Sequence, residues 1–148
     1  MSIPDVLSKS IILIYIIPLI LYVLTGNIIH FKGFLGVAGT TIITETIKYF
    51  FIGKSNPRPQ GAKDCNLLCN DGNQSGQPGM PSSHSASVAF FSAFYFNQTD
   101  NKFIRGALIV YAGLVMLSRY LKKCHTISQI FVGAVLGVSL SWFAMRQL

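Results

Sequence analysis

Charged residues are scarce in this chain. They make up 11% of its 148 residues, against roughly 25% in ordinary soluble domains. Acids are scarcer than bases, five against twelve, so the net charge of +7 comes from missing carboxylates. The bases are scattered among apolar runs and form no patch that would read as a nucleic-acid surface. Acidic lipid head groups or a phosphate substrate account for the excess better. Cysteine is also rare. Three residues, Cys65, Cys69 and Cys124, rule out a complete set of intramolecular pairs. Cys65 and Cys69 share a polar loop and are expected either to pair in an oxidising compartment or to stay free. A zinc site from these cysteines and the histidines is a weak reading, because Cys-x3-Cys has no second pair. Internal repeats are absent. The first apolar run has no small-residue cleavage site, so it is read as retained rather than as a signal peptide.

What is abundant is apolar sequence. Half the chain is hydrophobic, and the apolar residues gather into five segments near residues 6–24, 31–53, 83–96, 103–121 and 126–145. Polar stripes are mostly missing from them, which excludes a soluble bundle. The expected fold is all-α, a single integral-membrane helical bundle of about five spans over residues 1–148. Gly133, Ala134, Gly137 and Ser141 in the last segment would let helices approach closely. A polar loop, residues 54–82, separates the second and third segments. Five spans place this loop, the turn after the fourth segment and the N-terminus on one membrane face. Outside the motifs, five basic residues on that face against four on the other leave the orientation undecided.

Two strings on that face carry chemistry. Pro81-Ser82-Ser83-His84 opens the third segment, and Ser118-Arg119-x5-His125 closes the fourth. His125 is the expected nucleophile, since a neutral imidazole can attack phosphorus and form a covalent intermediate. His84 is the expected acid–base, protonating the leaving oxygen and later activating water. Ser82 and Ser83 begin a helix whose free amides face an anion. Arg58 and Arg119 are candidate phosphate clamps. Lys48, an ionisable residue inside a span, is read either as a phosphate ligand or as the partner of Glu45. Lys54 is its rival, being closer to Arg58.

Together these residues resemble the type 2 phosphatidic acid phosphatase superfamily, which includes lipid phosphatases and vanadium haloperoxidases. Its motifs Lys-x6-Arg-Pro, Pro-Ser-Gly-His and Ser-Arg-x5-His-x3-Asp have counterparts in Lys48…Arg58-Pro59, Pro81 to His84, and Ser118 to Gln129. The resemblance runs from Lys48 to about Trp142. It implies that His125 attacks, that His84 transfers protons, and that Lys48, Arg58, Ser82, Arg119 and the Ser83 amide hold phosphate. It also implies hydrolysis without metal or other cofactor. Three departures stand out. The first motif is three residues too long, Ser83 replaces a glycine, and Gln129 replaces the aspartate that would orient His125. One helical turn on, the Gln129 amide oxygen is expected to accept from His125 Nδ1–H and orient the ring with less charge. The family's dolichyl-diphosphate phosphatases are similar here, with Met-Pro-Ser-Ser-His-Ser and His-Thr-x-Ser-Gln. They imply a polyprenyl diphosphate substrate and, in a eukaryote, the endoplasmic reticulum membrane. The family commonly has six spans, so five suggests a shortened N-terminus. Two other classes fit part of the pattern. A non-catalytic lipid-phosphate binder would explain Gln129 and the stretched first motif. A small channel or transporter would explain Glu45 and Lys48 within a span, but not two histidines beside arginines.

Overall fold

In a computed structural model describing residues 1–147, the chain is five helical rods and one long loop, with no strand among the described residues. The first rod, α1, runs Ile3–Thr25 through a 3-10 turn at Ser10–Ile12. A reciprocal Ser2/Asp5 capping box starts it, and Gly26 ends it at φ +67°, a left-handed conformation that suits glycine. Helix α2 is Ile28–Thr46, capped by Asn27. It continues into a π-helical stretch, Ile47–Ile52, and a 3-10 turn, Gly53–Ser55. Helices α3 (Ser83–Gln98), α4 (Lys102–Leu121) and α5 (Ile127–Arg146) are capped by Ser82, Asn101 and Thr126.

Three rods, α1, α4 and α5, are long and apolar enough to cross a membrane. The five expected spans therefore differ in kind. The third is only 16 residues and is the centre of the bundle rather than a lipid-facing rod. Its residues Ser83 to Ser92 are all buried. The second is α2, whose last turns widen into the π stretch. That stretch carries Lys48, and the rest of it with the 3-10 turn lies between Lys48 and Arg58. These residues take up the extra length of the first motif.

The predicted small-residue stripe is what lets α3 be central. Where α5 crosses it, a Cβ on Gly133 would lie 2.5 Å from the Ser82 carbonyl, and one on Gly137 would lie 2.1 Å from that of Ala86. Neither position has room for a side chain. Hydroxyls knit the other helices at the same level. Tyr15 of α1 bonds Thr41 of α2 (2.6 Å), which bonds Ser87 of α3 (2.8 Å). Ile11, Ile14, Val37, Val88, Phe90, Phe91, Phe94 and Val115 form the apolar core.

The long loop is held by its own hydrogen bonds. Backbone bonds Arg58 N–H to Gln77 O (2.7 Å) and Gln74 N–H to Ala62 O (2.8 Å) pair its two arms. Asp71 and Asp64 accept the Cys65 and Gly72 amides at 2.7 and 2.9 Å. Neither alternative for Cys65 and Cys69 holds: they do not pair with each other, and they are not both free. Cys65 is instead bonded to Cys124, 59 residues away, and Cys69 is a half-buried free thiol. The fold brings those Cα atoms to 5.5 Å, a proximity that sequence spacing does not reveal. The bridge anchors the loop over the turn between α4 and α5. The N-terminus sits at the same end, through the Asp5–Lys122 ion pair and the Arg119–Ser8 bond.

Replacing Gly137 by valine is expected to cost about 1–3 kcal/mol or more, because the clash is with backbone. A lower unfolding midpoint in detergent would show this, and an unchanged midpoint would refute the close approach.

Candidate active site

Beneath the loop lies a cavity of about 250 Å³, lined among others by Glu45, Lys48, Arg58, Ser83, His84 and His125. Six elements reach it, with Thr41 and Glu45 coming from α2. Lys48 comes from the π stretch, Arg58 from the loop, Ser83 and His84 from the first turn of α3, and His125 from the turn between α4 and α5. Ile11 and Tyr15 of α1 close one side.

His125 is 2% exposed and is held by both ring nitrogens. Nδ1 faces two acceptors, the Gly79 carbonyl at 2.9 Å and Gln129 Oε1 at 3.3 Å, so it carries the proton. Nε2 lies 3.1 Å from Arg58 Nη1, which can only donate, so Nε2 presents a lone pair. The network thus assigns the tautomer a nucleophile needs. Burial, with the positive charges of Arg58, Arg119 and Lys48, holds the His125 pKa well below its ordinary value. Burial lowers the Arg58 pKa as well, opposed by Tyr49, Glu45 and Asp71. A guanidinium remains charged regardless.

Lys48 is buried and donates to Glu45 (2.6 Å) and to Ser83 Oγ (2.8 Å). Ser83 also donates to the same Glu45 oxygen. Lys48 is thus paired with Glu45 and also lines the cavity. Lys54 is exposed and lies outside the lining. His84 lines the cavity, and its Nε2 has no partner.

The remaining expected residues stand one layer back. Arg119 is fully buried, donating from Nη1 to Ser8 and from Nη2 to the Cys65 carbonyl. Ser82 caps α3, accepting from the Ser85 amide at 3.4 Å and hydroxyl at 3.0 Å. Its own amide donates to the Gln129 carbonyl at 3.1 Å. The amides of Ser83 and His84, in the first turn of α3, have no intrahelical acceptor.

Among the described residues, the buried side-chain donors and acceptors without partners are Arg58 Nε, His84 Nε2, Arg119 Nε and Ser141 Oγ. Three of the four belong to the motifs. Unpaired buried polar atoms are rare in native proteins. Two of them, Arg58 Nε and His84 Nε2, belong to residues lining the cavity; beside two helix amides without an intrahelical acceptor and a lysine, they fit an anion with several oxygens.

Several groups in the site lay beyond sequence reasoning. The Gly79, Cys65 and Cys124 carbonyls act through backbone and carry no residue-type signal. Ser8 and Asn56 belong to no motif. Gln129, expected one turn beyond His125 as its orienting partner, does accept from Nδ1, and its Thr126-x-x-Gln129 capping box also forms at the start of α5.

The PAP2 superfamily profile matches residues 30–148. The chain is 32% identical over 78 residues, 46% of its length, to "Lipid phosphate phosphatase epsilon 1, chloroplastic" of Arabidopsis thaliana. It is 34% identical over 76 residues, 45% of its length, to epsilon 2 of the same plant. It spans only 28% and 27% of those two relatives' own lengths. No solved structure matches.

A depressed His125 pKa keeps Nε2 unprotonated as pH falls. The acid limb of kcat/KM for phosphate release is therefore expected below the ordinary histidine value of about 6.5. A limb at or above that value would contradict the buried, cation-flanked setting.

Proposed function

The chain belongs to the PAP2 superfamily, and we propose that it is a membrane-embedded lipid phosphatase. In this reading it hydrolyses a polyprenyl diphosphate, such as dolichyl diphosphate, to the monophosphate through a phosphohistidine. The observation that carries the reading is the Nε2 lone pair of His125 facing the Arg58 guanidinium. An anion bound by Arg58 has its phosphorus beside the nucleophile.

The steps follow from the groups present. Arg58, Lys48 and the Ser83 and His84 amides hold the phosphoryl oxygens, with Arg119 and Ser82 supporting them from behind. Nε2 attacks phosphorus as the bond to the leaving oxygen breaks, and His84 gives that oxygen a proton. Gly79 and Gln129 accept the Nδ1–H throughout. Water then attacks phosphorus as the phosphorus–Nε2 bond breaks, passing a proton to His84. Inorganic phosphate leaves, and His125 returns to its neutral tautomer. Fixed cationic donors in a water-poor cavity supply the charge stabilisation, so no metal is required.

Ser83 and Gln129, read as subfamily marks, favour the diphosphate. A lipid phosphomonoester is the second reading, favoured by the names of the two Arabidopsis relatives. The three apolar rods support membrane insertion, with the lipid tail remaining among the helices. The Cys65–Cys124 bond suits a site facing an oxidising compartment, as the lumen of the endoplasmic reticulum is.

A phosphate-release panel tests this. Purified protein is given dolichyl diphosphate, a shorter polyprenyl diphosphate, phosphatidate and a soluble phosphate ester, with chelator present. The polyprenyl diphosphates are expected to be the best substrates, His125→Ala to abolish turnover, and His84→Ala to lower it by about 10²–10⁴-fold. Preference for phosphatidate would select the second reading. Loss with chelator would contradict the metal-free step, and full turnover in both variants would sink the mechanism.

A further inference from the structure

The family motif places an aspartate where this chain has Gln129, and the structure gives a physical reason for the amide. Gln129 is fully buried and uses both ends of its side chain. Its Oε1 accepts from His125 Nδ1 (3.3 Å) and from the Thr126 amide (3.1 Å). Its Nε2 faces three oxygens: Asn56 Oδ1 at 2.6 Å, the Pro57 carbonyl at 2.8 Å and the Asn56 carbonyl at 3.4 Å. The sense of the amide is therefore fixed, since turning it over would set donor against donor and acceptor against acceptor. A carboxylate here would face three oxygens with no proton between them, buried, where such opposition is most costly.

Asn56 also supports the other acceptor of the His125 proton. Its carbonyl accepts the Gly79 amide at 3.0 Å, and the Gly79 carbonyl is the nearer partner of Nδ1. Gly79 is pressed onto the Gln129 amide so closely that a Cβ there would lie 2.7–2.9 Å from it. Both partners of Nδ1 are thus tied to one residue of the loop.

We propose that Asn56 is a positioning residue for His125, acting through Gln129 and Gly79, and that Asn56 and Gln129 form an uncharged clamp replacing the family carboxylate. The clamp fixes the ring and its tautomer without placing a negative charge behind it. An imidazole so held keeps its neutral form and relies on Arg58 for the alignment of Nε2. The proposal rests on the reading of His125 as nucleophile.

Two measurements on the full-length protein in detergent test it. One is phosphate release from dolichyl diphosphate. The other is ¹⁵N NMR of histidine-labelled protein, with the His125 signals identified by their loss in His125→Ala. Asn56→Leu is expected to lower kcat about tenfold, by analogy with other groups that orient a functional histidine, with KM little changed. In that variant the His125 signals should move from a single Nδ1–H tautomer to a mixture. Asn56→Asp keeps an acceptor for Gln129 Nε2 and should retain both the tautomer and most of kcat. Gln129→Glu should lose more than Asn56→Leu. If Asn56→Leu does not fold, Asn56→Ser, too short to reach Gln129, takes its place.

Unchanged kcat and tautomer in the Asn56 variant would overturn the clamp. So would a variant that melts earlier yet keeps the single tautomer. If the wild-type protein releases no phosphate from any lipid, the functional reading has failed instead, and the tautomer comparison still decides the clamp.

Discussion

Positive charge held out of water, with too little negative charge to match it, governs this molecule. Lys48, Arg58 and Arg119 are all buried around one end of the bundle, and Glu45 is the carboxylate bonded among them. Unpaired buried ions are costly, and such groups persist only when fixed dipoles and ligands satisfy them. The fold supplies the dipoles. The Cys124 carbonyl accepts from Arg58, the Cys65 carbonyl accepts from Arg119, and the start of α3 aims its amides the same way. The spare Nε of Arg58, which lines the cavity, marks what is left over for an anion.

That requirement explains the shape of the scaffold. A helix start can face a buried site only if its helix is central, so α3 is short, surrounded and packed backbone to backbone on α5 at Gly133 and Gly137. A loop can carry Arg58 over that helix start only if it is itself fixed. Its paired arms and the Cys65–Cys124 bond fix it. The π stretch after α2 has the same logic, because a widened turn carries Lys48 inward although the chain to Arg58 is longer than the family motif. Such turns recur at functional sites.

Much of this was legible in the sequence. Two histidine strings, the small-residue stripe of α5 and an even number of apolar segments between the N-terminus and His125 sufficed to put the site at one end. Those features are local or periodic, so residue type reports them directly. Other features were not legible. The Cys65–Cys124 pair depends on a fold that joins positions 59 apart. The nearest partner of His125 Nδ1 is a backbone carbonyl, which every residue has. Five apolar segments also looked alike in composition, although α3 is hidden by its neighbours while α1, α4 and α5 present apolar surface outward. Hydropathy reads transfer from water and does not distinguish lipid from protein as the destination.

The account turns on His125 becoming covalently phosphorylated. Wild-type protein mixed briefly with dolichyl diphosphate labelled at its terminal phosphate, then quenched in alkali and mapped by mass spectrometry, tests this most directly. The account predicts phosphate on Nε2 of His125, formed within one turnover and absent from His125→Ala. Turnover without any labelled histidine, or with the label on another residue, would contradict it.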